Sequence, residues 1–314
     1  MKILIYTFFR EDLSSLIKSE FPELSVVQTH DLSTAIREIE DAEVLIVNKP
    51  CEELIDAAPK LKWIQSLSSG VDYLPLKKIE EGHIILTNTA GIHSGQMSEY
   101  AIAAMVMLSR NYPVLMRQQM EGRWSSRVPQ GEIFGSTVGI LGLGNIGKAV
   151  AEKAKVFGMN VIGINRSGKD VPFVDEVYTM EGLYKVAEQS DYVINLLPLT
   201  EETYHIIDKG FFDVMQPSAC FINIGRGPTV KEADFMQALE DESIRGAFSD
   251  VFETEPLKPE SPVWQVKNLV ITPHICGINE HYFEKALDVI SPNIHTFLVK
   301  GKPLSHIVNL TLGY

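Results

Sequence analysis

The chain lacks any long hydrophobic run. Nowhere do its 314 residues contain the roughly 18 consecutive apolar residues that a membrane-spanning helix requires. The first residues, Met1-Lys-Ile-Leu-Ile-Tyr6, have the pattern of a core strand, whereas a signal peptide begins with a basic segment and a longer apolar one. We therefore expect a soluble protein of the cytoplasm.

Cysteine and clustered basic residues are also scarce. The three cysteines, Cys51, Cys220 and Cys276, are too few and too scattered for a disulfide framework or a metal cluster, so we expect reduced thiols and no metal. The formal net charge of −13 and the absence of basic runs argue against nucleic acid or anionic membranes as partners. A small anionic substrate would therefore need a local cation in its binding site.

What the sequence does contain is a glycine-rich turn inside the segment 138–166. Gly142, Gly144 and Gly147 form G-x-G-x-x-G between an apolar strand and a helix, and a second apolar strand follows from Val161. The first glycine permits a tight turn, the second lets the backbone approach a pyrophosphate, and the third lets helix and strand pack closely. Free N–H groups at the helix N-terminus hold negative charge. The order of these features predicts a dinucleotide-binding site.

Strands and helices alternate along the rest of the chain, which predicts parallel sheets covered by helices. The first strand-to-helix turn, at 7–12, has no glycine, so the first unit is not expected to bind the dinucleotide phosphates. Predicted strands lie at 2–8, 25–29, 44–47, 63–66, 83–87, 138–141, 161–164, 191–197, 219–224, 246–251 and 269–272. Predicted helices lie at 12–20, 32–39, 52–58, 97–109 with Ser98 as N-cap, 112–121, from Thr200 as a cap, 231–240 and 279–300.

Polar residues follow the strands at the edge where ligands bind in an open α/β sheet. Arg226, between two glycines, either grips a substrate carboxylate with two parallel hydrogen bonds or pairs with an acid of the protein. Asp250 and His274 also stand at strand ends, and Glu255 lies in the loop after Asp250. Glu255 is either a solvated loop acid or the partner that keeps the His274 imidazole protonated near neutral pH.

A series of short motifs resembles the D-isomer-specific 2-hydroxyacid dehydrogenase family, and within it the glyoxylate/hydroxypyruvate reductase branch. They occur in the expected order and spacing over about residues 63–277. The matching segments are 68–72 (SSGVD), 88–91 (NTAG), 97–99 (MSE), 122–124 (GRW), 138–147, 197–200 (LPLT), 222–227 (INIGRG), 250–256 (DVFETEP) and 272–277 (TPHICG).

The resemblance implies two doubly wound parallel-sheet α/β domains. A Rossmann dinucleotide-binding domain would occupy residues 99–283, and a flavodoxin-like substrate (catalytic) domain would occupy residues 1–98 plus 284–314. It also implies a homodimer in which the loop after Trp124 approaches the partner subunit. Relatives of this branch often carry a tryptophan a few residues after Trp124, and Arg127 stands at that place here.

The implied activity is the NAD(P)H-dependent reduction of a small 2-oxo acid to the D-2-hydroxy acid. Glyoxylate, hydroxypyruvate, pyruvate and bulkier 2-oxo acids all fit an arginine and a histidine. The alternative is a dinucleotide-sensing binding protein of the same fold, similar to transcriptional corepressors that retain the site. A turnover assay distinguishes the two.

By the same resemblance, His274 is the proton donor, Glu255 its acidic partner and Arg226 the residue that holds the substrate carboxylate and carbonyl. The backbone of Ser69, Gly70 and Val71 resembles a second contact to the substrate carboxylate. The implied cofactor-binding residues are Gly142, Gly144, Asn145, Ile146, Gly147, Asn165, Arg166, Ser167, Leu197, Pro198, Ile224, Gly225, Asp250 and Gly277.

The end of the second strand of the dinucleotide site bears on the choice of coenzyme. An NAD-preferring site usually places an acid there to bind the ribose 2′-hydroxyl. Here Asn165 is followed by Arg166 and Ser167, which suit a 2′-phosphate. The sequence therefore favours NADP(H), with NAD(H) as the alternative and Arg166 as the main determinant.

Overall fold

The computed structural model describes residues 1–49, 51–299 and 304–313. The chain divides into two compact units, unit 1 (Met1–Ile92 and Asn279–Tyr314) and unit 2 (His93–Ile278). The sequence placed these boundaries later, at 98/99 and 283/284. The helix that begins at Ser94 belongs wholly to unit 2, and the last helix belongs wholly to unit 1, so neither helix is divided between units.

Unit 1 is built on a five-stranded sheet of order β2-β1-β3-β4-β5, in which every pair is parallel. Its central strands are apolar on both faces, and all four residues of Val44–Val47 are buried, as expected where helices cover a parallel sheet. The strands are β1 (Lys2–Tyr6), β2 (Ser25–Thr29), β3 (Val44–Val47), β4 (Trp63–Ser66) and β5 (Ile85–Thr87). The first helices are α1 (Leu13–Glu20), α2 (Leu32–Ile39), α3 (Glu52–Asp56) and α4 (Leu76–Glu81).

Aspartates cap the first two helices of unit 1. Asp12, the N-cap of α1, accepts hydrogen bonds from the backbone N–H of Ser15 (3.0 Å) and from the hydroxyls of Ser14 (2.7 Å) and Ser15. Asp31 accepts from the N–H of Thr34 (2.8 Å) at the start of α2. These carboxylates satisfy N–H groups that a helix N-terminus otherwise leaves unpaired.

Unit 2 contains a seven-stranded parallel sheet of order β12-β11-β10-β9-β6-β7-β8. The strand order reverses between β6 and β9, the position at which open α/β sheets bind ligands. The strands are β6 (Thr137–Leu141), β7 (Asn160–Ile164), β8 (Glu176–Tyr178), β9 (Tyr192–Asn195), β10 (Cys220–Asn223), β11 (Gly246–Ser249) and β12 (Leu269–Ile271). The helices are α5 (Ser94–Ser109), α6 (Tyr112–Met120), α7 (Asn145–Val156), α8 (Leu183–Gln189), α9 (Lys209–Val214) and α10 (Glu232–Glu240).

Two predicted helix starts are wrong. Ser98 lies inside α5 and donates its hydroxyl to the carbonyl of Gly95 (2.8 Å), while His93 occupies the N-cap position. Thr200 begins a turn and not a helix, and its hydroxyl accepts from the N–H of Thr203 (3.3 Å). The turn ends at His205, whose backbone is left-handed, with φ of +52°. Left-handed backbone cannot continue an α-helix.

The chain ends with the long helix α11 (Tyr282–Val299), which belongs to unit 1. The predicted helix began at residue 279 and ended at Lys300, which lies outside the described residues. Of the helices in the part of the chain that the structure describes, none is both long and apolar enough to cross a membrane.

Candidate active site

The glycine turn of unit 2 joins β6 to α7. Gly142 has φ of +110°, a conformation that favours glycine. A Cβ atom on Gly147 would lie 2.2 Å from the carbonyl oxygen of Gly142, so only glycine permits this contact. Gly144 is the N-cap of α7, and among the described residues no side chain caps this helix. Gly144 and Asn145 are exposed, and the turn therefore fits a pyrophosphate held by backbone N–H groups.

The loop after β7 is shaped by Asn165. Its Oδ1 accepts from the N–H of Ser167 (3.0 Å) and its Nδ2 donates to the carbonyl of Lys169 (2.7 Å). Arg166 and Ser167 are exposed on this loop. The Asn165 side chain thus holds the loop that presents Arg166.

The ends of β9 and β10 are joined by two buried asparagines that the sequence did not single out. Nδ2 of Asn195 donates to Oδ1 of Asn223 (3.0 Å) and to the hydroxyl of Thr229 (2.8 Å), while its Oδ1 accepts from the N–H of Leu197 (3.1 Å). Leu197, Ile224 and Gly225 are buried, and Pro198 is partly buried. A polar residue closing each apolar strand was the signal that could have identified this pair.

Asp250 follows β11 and is 1% exposed. Its carboxylate accepts hydrogen bonds from the hydroxyl of Thr272 (2.5 Å) and from the N–H groups of Ile275 (2.9 Å) and Cys276 (3.0 Å). Its carbonyl oxygen accepts from the N–H of His274 (2.8 Å). Asp250 therefore fixes the backbone on both sides of His274, whose φ is +54°.

Glu255 and His274 form a close pair at the carboxyl ends of β11 and β12. Nδ1 of His274 lies 2.6 Å from Oε2 of Glu255, and Oε1 of Glu255 accepts from the N–H of Phe252 (2.9 Å). The hydrogen bond to Glu255 raises the pKa of His274 above its ordinary 6.5, although burial and the charge of Arg226 oppose this. With Nδ1 engaged, Nε2 of this half-exposed imidazole is the nitrogen available to a reactant.

The carboxyl of Glu255 is held in its charged form. Burial by itself would raise the pKa of Glu255, but the hydrogen bonds from His274 and from the N–H of Phe252 outweigh burial and lower it. The nearby charges of His274 and Arg226 act in the same direction. Both shifts therefore favour the same state, an imidazolium paired with a carboxylate.

Arg226 lies directly after β10, and its Nη1 donates to the carbonyl of Gly225 (3.1 Å). The neighbouring Gly227 packs against the Glu255 loop so closely that a Cβ there would lie 1.9 Å from the carbonyl oxygen of Phe252. The structure thus brings Arg226, Asp250, Glu255 and His274 together at one edge of the unit 2 sheet.

The family model described as D-isomer specific 2-hydroxyacid dehydrogenase, NAD binding domain, matches residues 102–276, more than half of the chain. The chain belongs to the D-isomer specific 2-hydroxyacid dehydrogenase family. This match confirms the family predicted from the sequence, and the similar structures confirm the fold class. The protein is therefore an enzyme with a nicotinamide dinucleotide cofactor.

Members of the family with assigned activities are similar over most of the chain. Hydroxyphenylpyruvate reductase of Plectranthus scutellarioides is 35% identical over 255 residues, which cover 80% of each chain. Glyoxylate reductase of Korarchaeum cryptofilum is 31% identical over 278 residues, which cover 86% of this chain and 82% of the relative. The structure of the NADPH-dependent glyoxylate/hydroxypyruvate reductase of Sinorhizobium meliloti, in complex with NADP and sulfate, has a TM-score of 0.89 at 29% identity and covers 100% of this chain and 99% of its own.

The remaining residues implied by the family resemblance lie at two further places. Ser69, Gly70 and Val71 follow β4 in unit 1, where the hydroxyl of Ser69 donates to the carbonyl of Thr89 (3.1 Å) and Asn88 donates to the carbonyl of Ser69 (2.9 Å). Gly277 lies in unit 2, and its carbonyl oxygen is 3.1 Å from Nδ1 of His93. Both segments are fixed by hydrogen bonds to their own unit.

Proposed function

We propose that the protein reduces a small 2-oxo acid, such as glyoxylate or hydroxypyruvate, to the D-2-hydroxy acid. The observation that carries this proposal is the 2.6 Å contact between Nδ1 of His274 and Oε2 of Glu255. The reduced nicotinamide of a bound cofactor would supply a hydride to C2 of the substrate. The reductase activities of the relatives named above support the same reaction class.

His274 donates the proton that the carbonyl oxygen of the substrate takes up. Glu255 keeps the imidazole protonated, because its carboxylate raises the pKa of His274, and it fixes Nδ1 so that Nε2 carries the transferable proton. Asp250 holds the backbone around His274 in the conformation that presents the ring. This arrangement is general-acid catalysis with a preset donor.

The substrate carboxylate is bound by the guanidinium of Arg226, which also stabilises the negative charge that develops on the carbonyl oxygen. That the backbone of Ser69, Gly70 and Val71 also contacts the substrate carboxylate stays a prediction from the family resemblance. The positive charge of Arg226 is needed at the site, since the protein carries a formal net charge of −13 and its overall field opposes an anionic substrate.

The cofactor is NADP(H) in preference to NAD(H). Gly144, Asn145, Ile146 and Gly147 hold the pyrophosphate at the uncapped start of α7. Arg166 and Ser167, with Asn165 shaping their loop, hold the 2′-phosphate. The nicotinamide half is bound by residues at the ends of the later strands, namely Leu197, Pro198, Ile224, Gly225, Asp250 and Gly277.

The experiment that tests this function follows NADPH oxidation by the purified protein with glyoxylate, hydroxypyruvate, pyruvate and phenylpyruvate. We expect turnover that falls at least about a hundredfold in kcat in His274→Ala, the usual effect of a positioned proton donor. Cofactor affinity should stay near the wild-type value in this variant. No turnover with any 2-oxo acid, or an unchanged kcat in His274→Ala, would refute the proposal.

The protein is further proposed to be a homodimer of the cytoplasm. Tyr112, Met116 and Met120 form a stripe on α6 that is 44%, 50% and 87% exposed, and Trp124 beyond it is 99% exposed. Large exposed apolar side chains spaced four residues apart are typical of a protein interface, and a second copy of the chain is the partner that the family resemblance implies. Arg127 is exposed on the adjoining loop. Light scattering in solution measures the mass of the particle.

A further inference from the structure

Glu253, two residues before Glu255, is held by two neighbours in unit 2. Nε2 of His205 lies 2.8 Å from Oε1 of Glu253, at ion-pair distance. The same oxygen accepts from the N–H of Glu232 (2.8 Å), and the N–H of Glu253 donates to Oε2 of Glu232 (3.1 Å). Because Glu232 begins α10, the Glu253 carboxylate lies where the helix dipole favours negative charge. The loop that carries Glu255 is thereby tied to α10 and to His205.

The backbone of His205 is tied to the segment that follows Arg226. Its N–H donates to the carbonyl of Pro228 (2.9 Å), and the N–H of Ile207 donates to the carbonyl of Thr229 (3.1 Å). The His205 ring stacks on Tyr204 with centroids 4.0 Å apart. His205 therefore links two segments of the site, the one after Arg226 through its backbone and the Glu255 loop through its ring.

A displacement of Glu253 would reach Glu255 through two residues of backbone. On the other side of Glu253, the N–H of Phe252 is the hydrogen-bond donor to Oε1 of Glu255, and the carbonyl of Phe252 packs on Gly227. Nε2 of His205 is buried, and its contact with Oε1 of Glu253 is close (2.8 Å) but lacks the alignment of a hydrogen bond. The polar edge of the ring thus packs against the loop that places the Glu255 carboxylate.

We propose that His205 is a positioning residue, which acts through Glu253 to hold Glu255 against His274. Its effect on turnover rests on the proposed reductase function. Its effect on the Glu255–His274 pair concerns the protein alone and is measured without substrate or cofactor.

The first test is an NMR titration of the His274 imidazole, assigned by its loss in His274→Asn. The charged groups that act on this ring are Glu255, Arg226 and Asp250. In His205→Asn the left-handed backbone is tolerated but the ring nitrogen is lost, so the midpoint of His274 should move down toward 6.5. His205→Gln restores a polar nitrogen at similar reach and should restore the titration midpoint of His274.

The matched control is His83→Asn, an exposed histidine of unit 1 with the same φ of +52°, which should leave the midpoint unchanged. An unchanged midpoint in His205→Asn overturns the proposal. If His205→Asn fails to fold, Glu253→Gln takes its place, since the amide oxygen can still accept from Glu232 while the charge facing His205 is gone. An unchanged titration midpoint of His274 in Glu253→Gln also overturns the proposal.

The second test is turnover of glyoxylate with NADPH. We expect His205→Asn to lower kcat about tenfold, as small misplacements of catalytic groups do, with unchanged cofactor affinity and recovery in His205→Gln. A lower thermal midpoint with wild-type kcat and a wild-type His274 titration would show a merely structural residue and overturn the proposal. If the wild type reduces no 2-oxo acid but the His274 midpoint still shifts, the reductase function fails and the positioning role stands.

Discussion

Both units contain a parallel strand that turns directly into a helix, and the two turns treat the helix N-terminus in opposite ways. In unit 1, the carboxylate of Asp12 caps α1 and accepts from the N–H of Ser15. In unit 2, Gly144 stands at the same position of α7, and within the described part of the chain no side chain caps that helix. The positive end of α1 is neutralised by the protein, whereas that of α7 is open to a foreign anion.

This difference shows that the fold alone does not decide where a dinucleotide binds. Both units have a doubly wound parallel sheet, and both have a helix N-terminus at the carboxyl edge. In unit 2 the acidic residues Asp250 and Glu255 do not cap α7. They accept hydrogen bonds from residues 274–276 and so hold the segment of His274. An open helix N-terminus and the Glu255–His274 pair therefore coexist at one edge of the sheet, with no carboxylate of the described residues capping that N-terminus.

The largest effect is expected when the cap of unit 1 is copied into unit 2 as Gly144→Asp. A Cβ at Gly144 meets no atom of the described residues within 4 Å, so the variant should fold, with a thermal midpoint equal to or slightly above that of the wild type. The new carboxylate would take the N–H groups of α7 and repel phosphate. Losing two charged hydrogen bonds corresponds to at least about a hundredfold in affinity for NADPH, measured by calorimetry.

Gly144→Ala is the matched control, because it adds the methyl group without the charge or the cap. It should weaken NADPH binding much less than Gly144→Asp. Equal losses in the two variants would mean that bulk, and not occupation of the helix N-terminus, determines the affinity.

A smaller effect, between about tenfold and a hundredfold in kcat, is expected for Glu255→Gln, since His274 itself remains as donor. The folded pKa of His274 is raised above 6.5 by Glu255, so the protonated donor is present below that pKa and is lost as pH rises through it. Without the carboxylate, the alkaline decline of kcat for reduction should begin at a lower pH. A decline at the wild-type pH would show that Glu255 does not control the proton on His274.

Much of the fold was predictable because its elements carry strong local signals. The strands Val44–Val47 and Trp63–Ser66 are short apolar segments between polar ones, and the helix Leu32–Ile39 has an acidic cap and a repeat of apolar residues. Glu176–Tyr178, by contrast, is a three-residue edge strand with no fully buried residue. It was missed, as were the short helices α4, α8 and α9, since such segments carry little periodicity.

The sequence predicted that Arg226, Asp250, Glu255 and His274 follow strands at one edge of the sheet, but it did not predict the contacts that join them. Glu255 and His274 were paired because both follow strands of one sheet. The sequence did not reveal that Asp250 folds back onto residues 272–276, or that Asn195 and Asn223 join two strand ends. These contacts depend on the register of neighbouring strands, and strands that are buried on both faces lack the alternation of apolar and polar residues that would specify it.

The loop after β7, which carries Asn165, Arg166 and Ser167, is predicted to determine the choice between NADPH and NADH. Replacing Arg166 by Ala, alone or with Asn165→Asp, should lower the ratio of kcat/KM for NADPH to that for NADH by about ten- to a hundredfold, since a charged contact to the 2′-phosphate is lost. The single variant keeps the hydrogen bonds from Asn165 that shape the loop, so it separates charge from loop shape. If the ratio stays the same in both variants, Arg166 is not the determinant.

The smallest effect is expected in unit 1, where Asp12→Ala removes the cap of α1. Hydrogen bonds from Ser15 and Ser14 lower the pKa of Asp12 from 3.8 to about 2, so the stability it contributes is present above pH 3.8 and is lost as pH falls toward 2. The variant should have a slightly lower thermal midpoint at neutral pH, and this difference should shrink below pH 3.8. NADPH affinity should be unchanged, because α1 is a helix whose N-terminus the protein already occupies. A loss of NADPH affinity in Asp12→Ala, with the protein still folded, would contradict the assignment of the cofactor phosphates to α7.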